Sequence, residues 1–96
     1  MNLTFTNRAT QCITDVIKLF AENRDAPQSA MELIDDLSSA FSMISDNPAL
    51  GSSVGFTVFN NARIFHLPRY NGWLLTYIVN STEIVVVDFC KSWINS

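Results

Sequence analysis

Apolar residues recur every three to four positions across the first half of the chain, and alternate or cluster in short runs after residue 61. In "NLTFT", Leu3 and Phe5 alternate with polar neighbours, which predicts a short half-buried strand. Ala9, Cys12, Ile13, Val16, Ile17 and Phe20 then fall at offsets 0, 3, 4, 7, 8 and 11, a stripe on one face of a helix. Thr6 or Asn7 is suited to cap its first turn. Ala30, Leu33, Ile34, Leu37, Phe41 and Ile44 form a second such stripe. Its helix is expected to start near Asp25 as N-cap, with Pro27 in the first turn, and to stop before Asn47-Pro48. The short link between them makes the two helices an antiparallel hairpin.

Gly, Ser and Asn punctuate the next stretch, which reads as an irregular crossing segment up to residue 61. Three strands are expected after it, at about 62–69, 73–79 and 83–89. The β-branched run Ile84–Val87 suits a central strand buried on both faces. Asn71-Gly72 is a type I′ hairpin signal, because that turn needs positive φ at both central residues. Such a turn would set Tyr70 opposite Trp73, Arg69 opposite Leu74 and His66 opposite Tyr77. Pro68 donates no ladder bond, so its strand should be an edge there or be breaking away. The predicted class is α+β: a short N-terminal strand, an antiparallel helical hairpin, then a three-stranded antiparallel meander.

The chain of 96 residues is short enough for one domain spanning 1–96, and 48% hydrophobic residues suffice for one core. The net charge of −3 is uneven. Residues 1–50 hold three basic side chains against seven carboxylates, whereas residues 51–96 hold three against two. The basic excess of the second half is too small for a nucleic-acid stripe, so no sequence-specific nucleic-acid binding is expected. Residues 1–11 lack the apolar run of a secretion signal, and no apolar run is long enough to span a bilayer. The chain reads as cytoplasmic. Cys12 and Cys90 sit in apolar patterns without metal-ligand spacing, which predicts buried free thiols, no metal and no cofactor.

Few residues offer chemistry. His66 is the single histidine and sits between Phe65 and Leu67, where packing or hydrogen bonding is its expected use. Asp35 and Asp36 fall on the polar side of the second helix and are expected to be solvated. Arg63 and Arg69, six residues apart on one strand, would share a face with Cα atoms about 20 Å apart. That is too far for one phosphate clamp, though both could touch an extended partner. Tyr70, Trp73 and Tyr77 read as packing rather than a base-stacking platform. Lys91 and Trp93 lie in a tail just beyond the last strand.

Four segments in order carry a resemblance to the RelE/ParE toxin superfamily of type II toxin–antitoxin systems, closer to its ParE branch. "LTFTNRATQCITDVIKLFAEN" is similar to the family's first strand and helix. "FSMISDNPALG" resembles its second-helix ending, and "ARIFHLPRYNGWLLTYIV" its Arg-x-Phe strand, Arg-Tyr pair and Leu-x-x-Tyr strand. "EIVVVDFCKSW" stands where the last strand and basic tail belong.

The resemblance implies a toxin that inhibits DNA gyrase without being an enzyme and is neutralised by a cognate antitoxin. It also leaves open a RelE-type ribosome-dependent mRNA endonuclease, with Arg63, Arg69 and His66 or Tyr70 carrying catalysis. A divergent member that keeps only antitoxin binding, with weak toxicity, is the third reading. Phe89 stands where many ParE-like chains have histidine, and "CKSWINS" has one Lys and neither His nor Tyr. RNA cleavage through a 2′-hydroxyl wants a proton acceptor and cations, so these departures favour a binding protein over a nuclease. The expected binding residues are Arg63, Arg69, Tyr70, Trp73, Lys91 and Trp93.

Overall fold

A computed structural model describes residues 1–23, 28–53, 62–70 and 72–91. The elements are β1 (Asn2–Phe5), α1 (Asn7–Ala21), α2 (Ser29–Asp46), β2 (Ser52–Ser53), β3 (Ala62–His66), β4 (Trp73–Val79) and β5 (Glu83–Lys91). They form one five-stranded sheet in the order β1-β5-β4-β3-β2, with the two helices packed against one face. β3, β4 and β5 make the expected antiparallel meander, and β1 adds parallel to β5. The crossing segment is more ordered than its composition implied, since Ser52 and Ser53 pair with Ile64 and Arg63.

Local chemistry sets the helix ends. Thr6 accepts the Ala9 N–H at 3.1 Å, one of the orphan donors of the first turn of α1. Lys18 sits in the last turn, where a cation complements the helix dipole. Within the described residues α2 runs from Ser29, with Gln28 as N-cap: it makes no side-chain cap bond, and its carbonyl accepts the Glu32 N–H at 3.1 Å. The expected caps Asp25 and Pro27 lie outside the described residues. The C-terminal end falls at Asn47-Pro48, as expected.

The core unites both stripes with the sheet. Ala9, Leu33, Leu37, Ala40 and Ile44 from the helices meet Leu75, Tyr77, Ile84, Val86 and Phe89. β5 is flanked by strands on both sides, as its valine run predicts. Its core residues change phase, from the even positions 84 and 86 to position 89. The ladder explains this: Thr76 pairs with Asp88 and Tyr77 with Val86, which leaves Val87 as an extra residue. Such a bulge keeps the apolar side chains on either side of it aimed at one core.

The β3–β4 register differs from the expected one. His66 faces Leu74 and Arg63 faces Tyr77, so the connection is longer than two residues. β3 stops at His66, and the chain leaves the sheet around Pro68, which has no N–H to pair. Gly72 lies outside the left-handed region, which excludes a type I′ turn. Tyr70 and Trp73 still meet as expected, the Trp73 N–H donating to the Tyr70 carbonyl at 2.8 Å as in a four-residue turn, but the Leu67 N–H takes the Trp73 carbonyl at 3.1 Å.

The reason for this departure is Asp36. It is buried, contrary to the expectation of a solvated carboxylate, whereas Asp35 is exposed. Its carboxylate accepts the Arg69 N–H, at 2.9 and 3.2 Å to its two oxygens, and the Tyr70 N–H at 3.1 Å. Backbone amides that have left a ladder need an acceptor when buried, and the flank of α2 supplies one.

Candidate functional site

The six residues expected to bind do not form one site. Arg69, Tyr70, Trp73 and Lys91 gather at one end of the sheet, while Arg63 lies four residues further along β4, beside Tyr77. At about 3.3 Å per residue that separation along the strand is about 13 Å. Trp93 lies outside the described residues.

At the first end, the half-buried Tyr70 and Trp73 both meet Phe20 edge-on, with ring centroids 5.7 and 6.0 Å away. Trp73 also stacks on Phe89 at 5.4 Å with the planes 28° apart. The aromatics are therefore packing residues with one side showing, rather than a row of free stacking faces. Lys91 pairs with Trp73 in the ladder and is exposed. Arg69 is exposed as well, its backbone fixed by Asp36. Phe20 of α1 thus packs on both Tyr70 and Trp73, and Phe89 of β5 on Trp73, with Arg69 next to Tyr70 in the chain and Lys91 opposite Trp73 in the ladder. Phe89, in the position where the resemblance would put a histidine, is buried and has no proton to exchange.

At the other end, Arg63 is occupied with its own chain. Its guanidinium donates to the Ala49 carbonyl at 3.2 Å and, closely, to the Gly51 carbonyl. The fully buried Tyr77 completes this fixture: its hydroxyl donates to the Pro48 carbonyl and accepts the Gly51 N–H, both at 2.8 Å. A Cβ on Gly51 would lie 2.7 Å from the Tyr77 hydroxyl and 3.0 Å from the Ile64 carbonyl, so only glycine fits. His66 lies on β3 opposite Leu74 and is exposed.

Cys12 and Cys90 are free and half-buried. The Cys12 thiol donates to Asp88 at 3.7 Å, and Asp88 also pairs with Arg8 at 3.6 Å. Burial pushes the Cys90 thiol above its ordinary pKa, with Asp88 and Cys12 adding to the rise and Arg8 opposing it. Among the described residues, no group of His, Cys, Asp or Glu is arranged to hold a metal, and no helix is long and apolar enough to cross a membrane.

A second surface feature was not read from the sequence. An open apolar depression of about 200 Å³ lies between β1 and the helices, lined by Phe5, Thr10, Ile13, Thr14 and Phe41. Phe5 and Phe41 meet edge-on at 5.1 Å, and Phe5 is exposed despite its size. The sequence placed Ile13 and Phe41 on helical stripes and Phe5 on a half-buried strand. Their surplus showed only in the width of those stripes, since Ile34 and Met31 continue the apolar surface of α2 into solvent.

No protein-family model matches the sequence, and no curated protein matches it. Solved structures do match. One is a chain of the chromosomal ParDE TA system from P. aeruginosa, 15% identical, with a TM-score of 0.75 over 96% of both chains. Another is the YoeB dimer from Staphylococcus aureus, 19% identical, with a TM-score of 0.58 over 95% of this chain and 94% of that one. At these identities the likeness is one of fold. From β1 to β5 the chain has the RelE/ParE-like α+β fold.

Proposed function

We propose that this chain is the toxin component of a type II toxin–antitoxin system, of ParE-like action: it inhibits DNA gyrase by binding and is neutralised by a cognate antitoxin. The observation that carries the reading is the correspondence, over 96% of both chains, with a chain of a ParDE system. The higher TM-score of that match, 0.75 against 0.58 for YoeB, favours the ParE side. The chemistry of the site agrees. Arg69 and Lys91 are exposed, next to Tyr70 in the chain and opposite Trp73 in the ladder, and aromatic and Arg side chains are the types that dominate binding energy. The buried Phe89 supplies no proton acceptor beside them. The apolar depression between β1 and the helices is the place for an antitoxin segment to dock.

The test is expression in growing bacteria, with and without the protein encoded next to it. Growth arrest that the neighbour relieves, with cellular mRNA intact, supports the reading. Arrest accompanied by mRNA cleavage on translating ribosomes would instead support the RelE-type nuclease, with His66 or Tyr70 as proton acceptor. Absence of arrest with retained binding to the neighbour would mark a member that keeps only the antitoxin interaction.

A further inference from the structure

β1 ends at Phe5, opposite Val86, so the edge of β5 beyond that pair has no β1 residue beside it. α1 lies there instead: Arg8 and Cys12, one helical turn apart, both reach the Asp88 carboxylate, at 3.6 and 3.7 Å. α1 advances in the direction of β5, since its Phe20 meets Trp73, the ladder partner of Lys91. Cys12 therefore stands on the Cys90 side of Arg8. Asp88 and Cys90 are two residues apart on a strand, so their side chains project to one side. The two steps match, because four residues of helix advance about 6 Å and two of strand about 6.6 Å. With Arg8 beside Asp88, Cys12 comes beside Cys90, close enough to add to the rise in its pKa. Both cysteines are free and half-buried, and the chain has no others.

We propose that Cys12 and Cys90 are a redox modification site, which hydrogen peroxide converts to an intrachain disulfide tying α1 to β5. The site does not depend on what the chain binds. Burial and Asp88 keep Cys90 protonated, so Cys12 is the sulfur that reacts first. Its thiolate, the proton having passed to water, attacks one peroxide oxygen; the O–O bond breaks, hydroxide leaves, and Cys12 becomes a sulfenic acid. The Cys90 sulfur then attacks the Cys12 sulfur. The S–O bond breaks as the S–S bond forms, and the departing hydroxide takes the Cys90 proton to become water. Two thiols and one peroxide thus give one disulfide and two waters. Exchange with a small thiol reverses the step, so in a reducing medium the pair rests as thiols. Paired thiols also hold metals, but among the described residues no group of three ligands is arranged for one. The bridge would close a loop of most of the chain, which constrains the unfolded state and stabilises the folded one. It would also fix the helix that carries Phe20 against the strand that carries Phe89, the two rings that pack on Trp73.

The experiment exposes the fully reduced chain to hydrogen peroxide and follows it by intact mass, peptide mapping and thermal unfolding. The expected product is a single chain lighter by two hydrogens, with a peptide joining Cys12 to Cys90, and restored by dithiothreitol. Its Tm should lie about 10 °C above that of the reduced chain. The single variants separate the two roles. Cys90→Ser should accumulate a sulfenic acid on Cys12, trapped with dimedone, whereas Cys12→Ser should leave Cys90 largely unreacted. Neither should gain in Tm on oxidation. A folded parent chain whose cysteines stay reduced, are oxidised separately or join only between chains overturns the proposal. A Cys12–Cys90 bridge that fails to raise the Tm would show that the fold must distort to make it, and would overturn the pair as a site of the native chain.

Discussion

Arg63 and Arg69 look alike in the sequence, each beside aromatic residues on what reads as one strand, yet the structure uses them in opposite ways. Arg63 turns its guanidinium onto the carbonyls of Ala49 and Gly51 and helps Tyr77 fasten the segment that follows α2. Arg69 has its backbone fastened by Asp36 and its side chain exposed. The Arg63 end of the sheet is a closed fixture whose polar groups satisfy one another. The second holds Tyr70 and Trp73 half-buried and leaves Arg69 and Lys91 exposed. A long side chain can stabilise a fold or meet a partner, and which it does is decided by the unpaired backbone groups within reach.

Substitutions should separate the two ends. The largest effect is expected at the closed end, from Gly51→Ala, because its Cβ would lie 2.7 Å from the Tyr77 hydroxyl and 3.0 Å from the Ile64 carbonyl. About 3 kcal/mol of stability should be lost in urea unfolding. Asp36→Asn should cost about 2 kcal/mol, since it removes the charge from the bonds to Arg69 and Tyr70. Because that change also releases the exposed end, binding to the antitoxin or target should weaken with it. Tyr77→Phe should cost about 1.5 kcal/mol through two lost hydrogen bonds and leave binding unchanged. Arg69→Ala should change stability by less than about 0.5 kcal/mol. It should still weaken binding, and unchanged affinity for both partners would remove Arg69 from the surface.

The smallest effect concerns Cys90. Its thiol pKa is raised by burial first and by Asp88 next, so modification by a thiol reagent near pH 8 should be slow. Asp88→Asn should quicken it. Because the folded-state pKa lies above the unfolded one, the contribution to stability is complete below the ordinary thiol range and lost as pH rises through it.

The helices, the meander and the central place of β5 were legible because each rests on periodicity, which a single chain displays. The Asn47-Pro48 stop was legible for the same local reason. The fate of Asp36 was not. Its position beside Asp35 marks it as polar, and only the tertiary approach of residues 69 and 70 makes burial favourable. The hairpin register failed with it, since Asn-Gly chemistry is local and a carboxylate from α2 outweighed it. Of the six expected binding residues, Arg69 and Tyr70 adjoin in the chain, and Trp73 meets Lys91 through a pairing that the meander implies. The diversion of Arg63 was hidden because its acceptors are main-chain carbonyls, which no residue type reveals. The apolar depression was hidden because Ile13 and Phe41 fit helical stripes and Phe5 a half-buried strand, and only the folded chain brings the three together.

The most direct test is a supercoiling assay with DNA gyrase and the purified chain, repeated after addition of the protein encoded next to it. The expected result is inhibition by the chain, loss of inhibition when the neighbour is added, and weaker inhibition by Arg69→Ala than by the parent. Undiminished supercoiling in the presence of a folded chain at micromolar excess would contradict the ParE-like account.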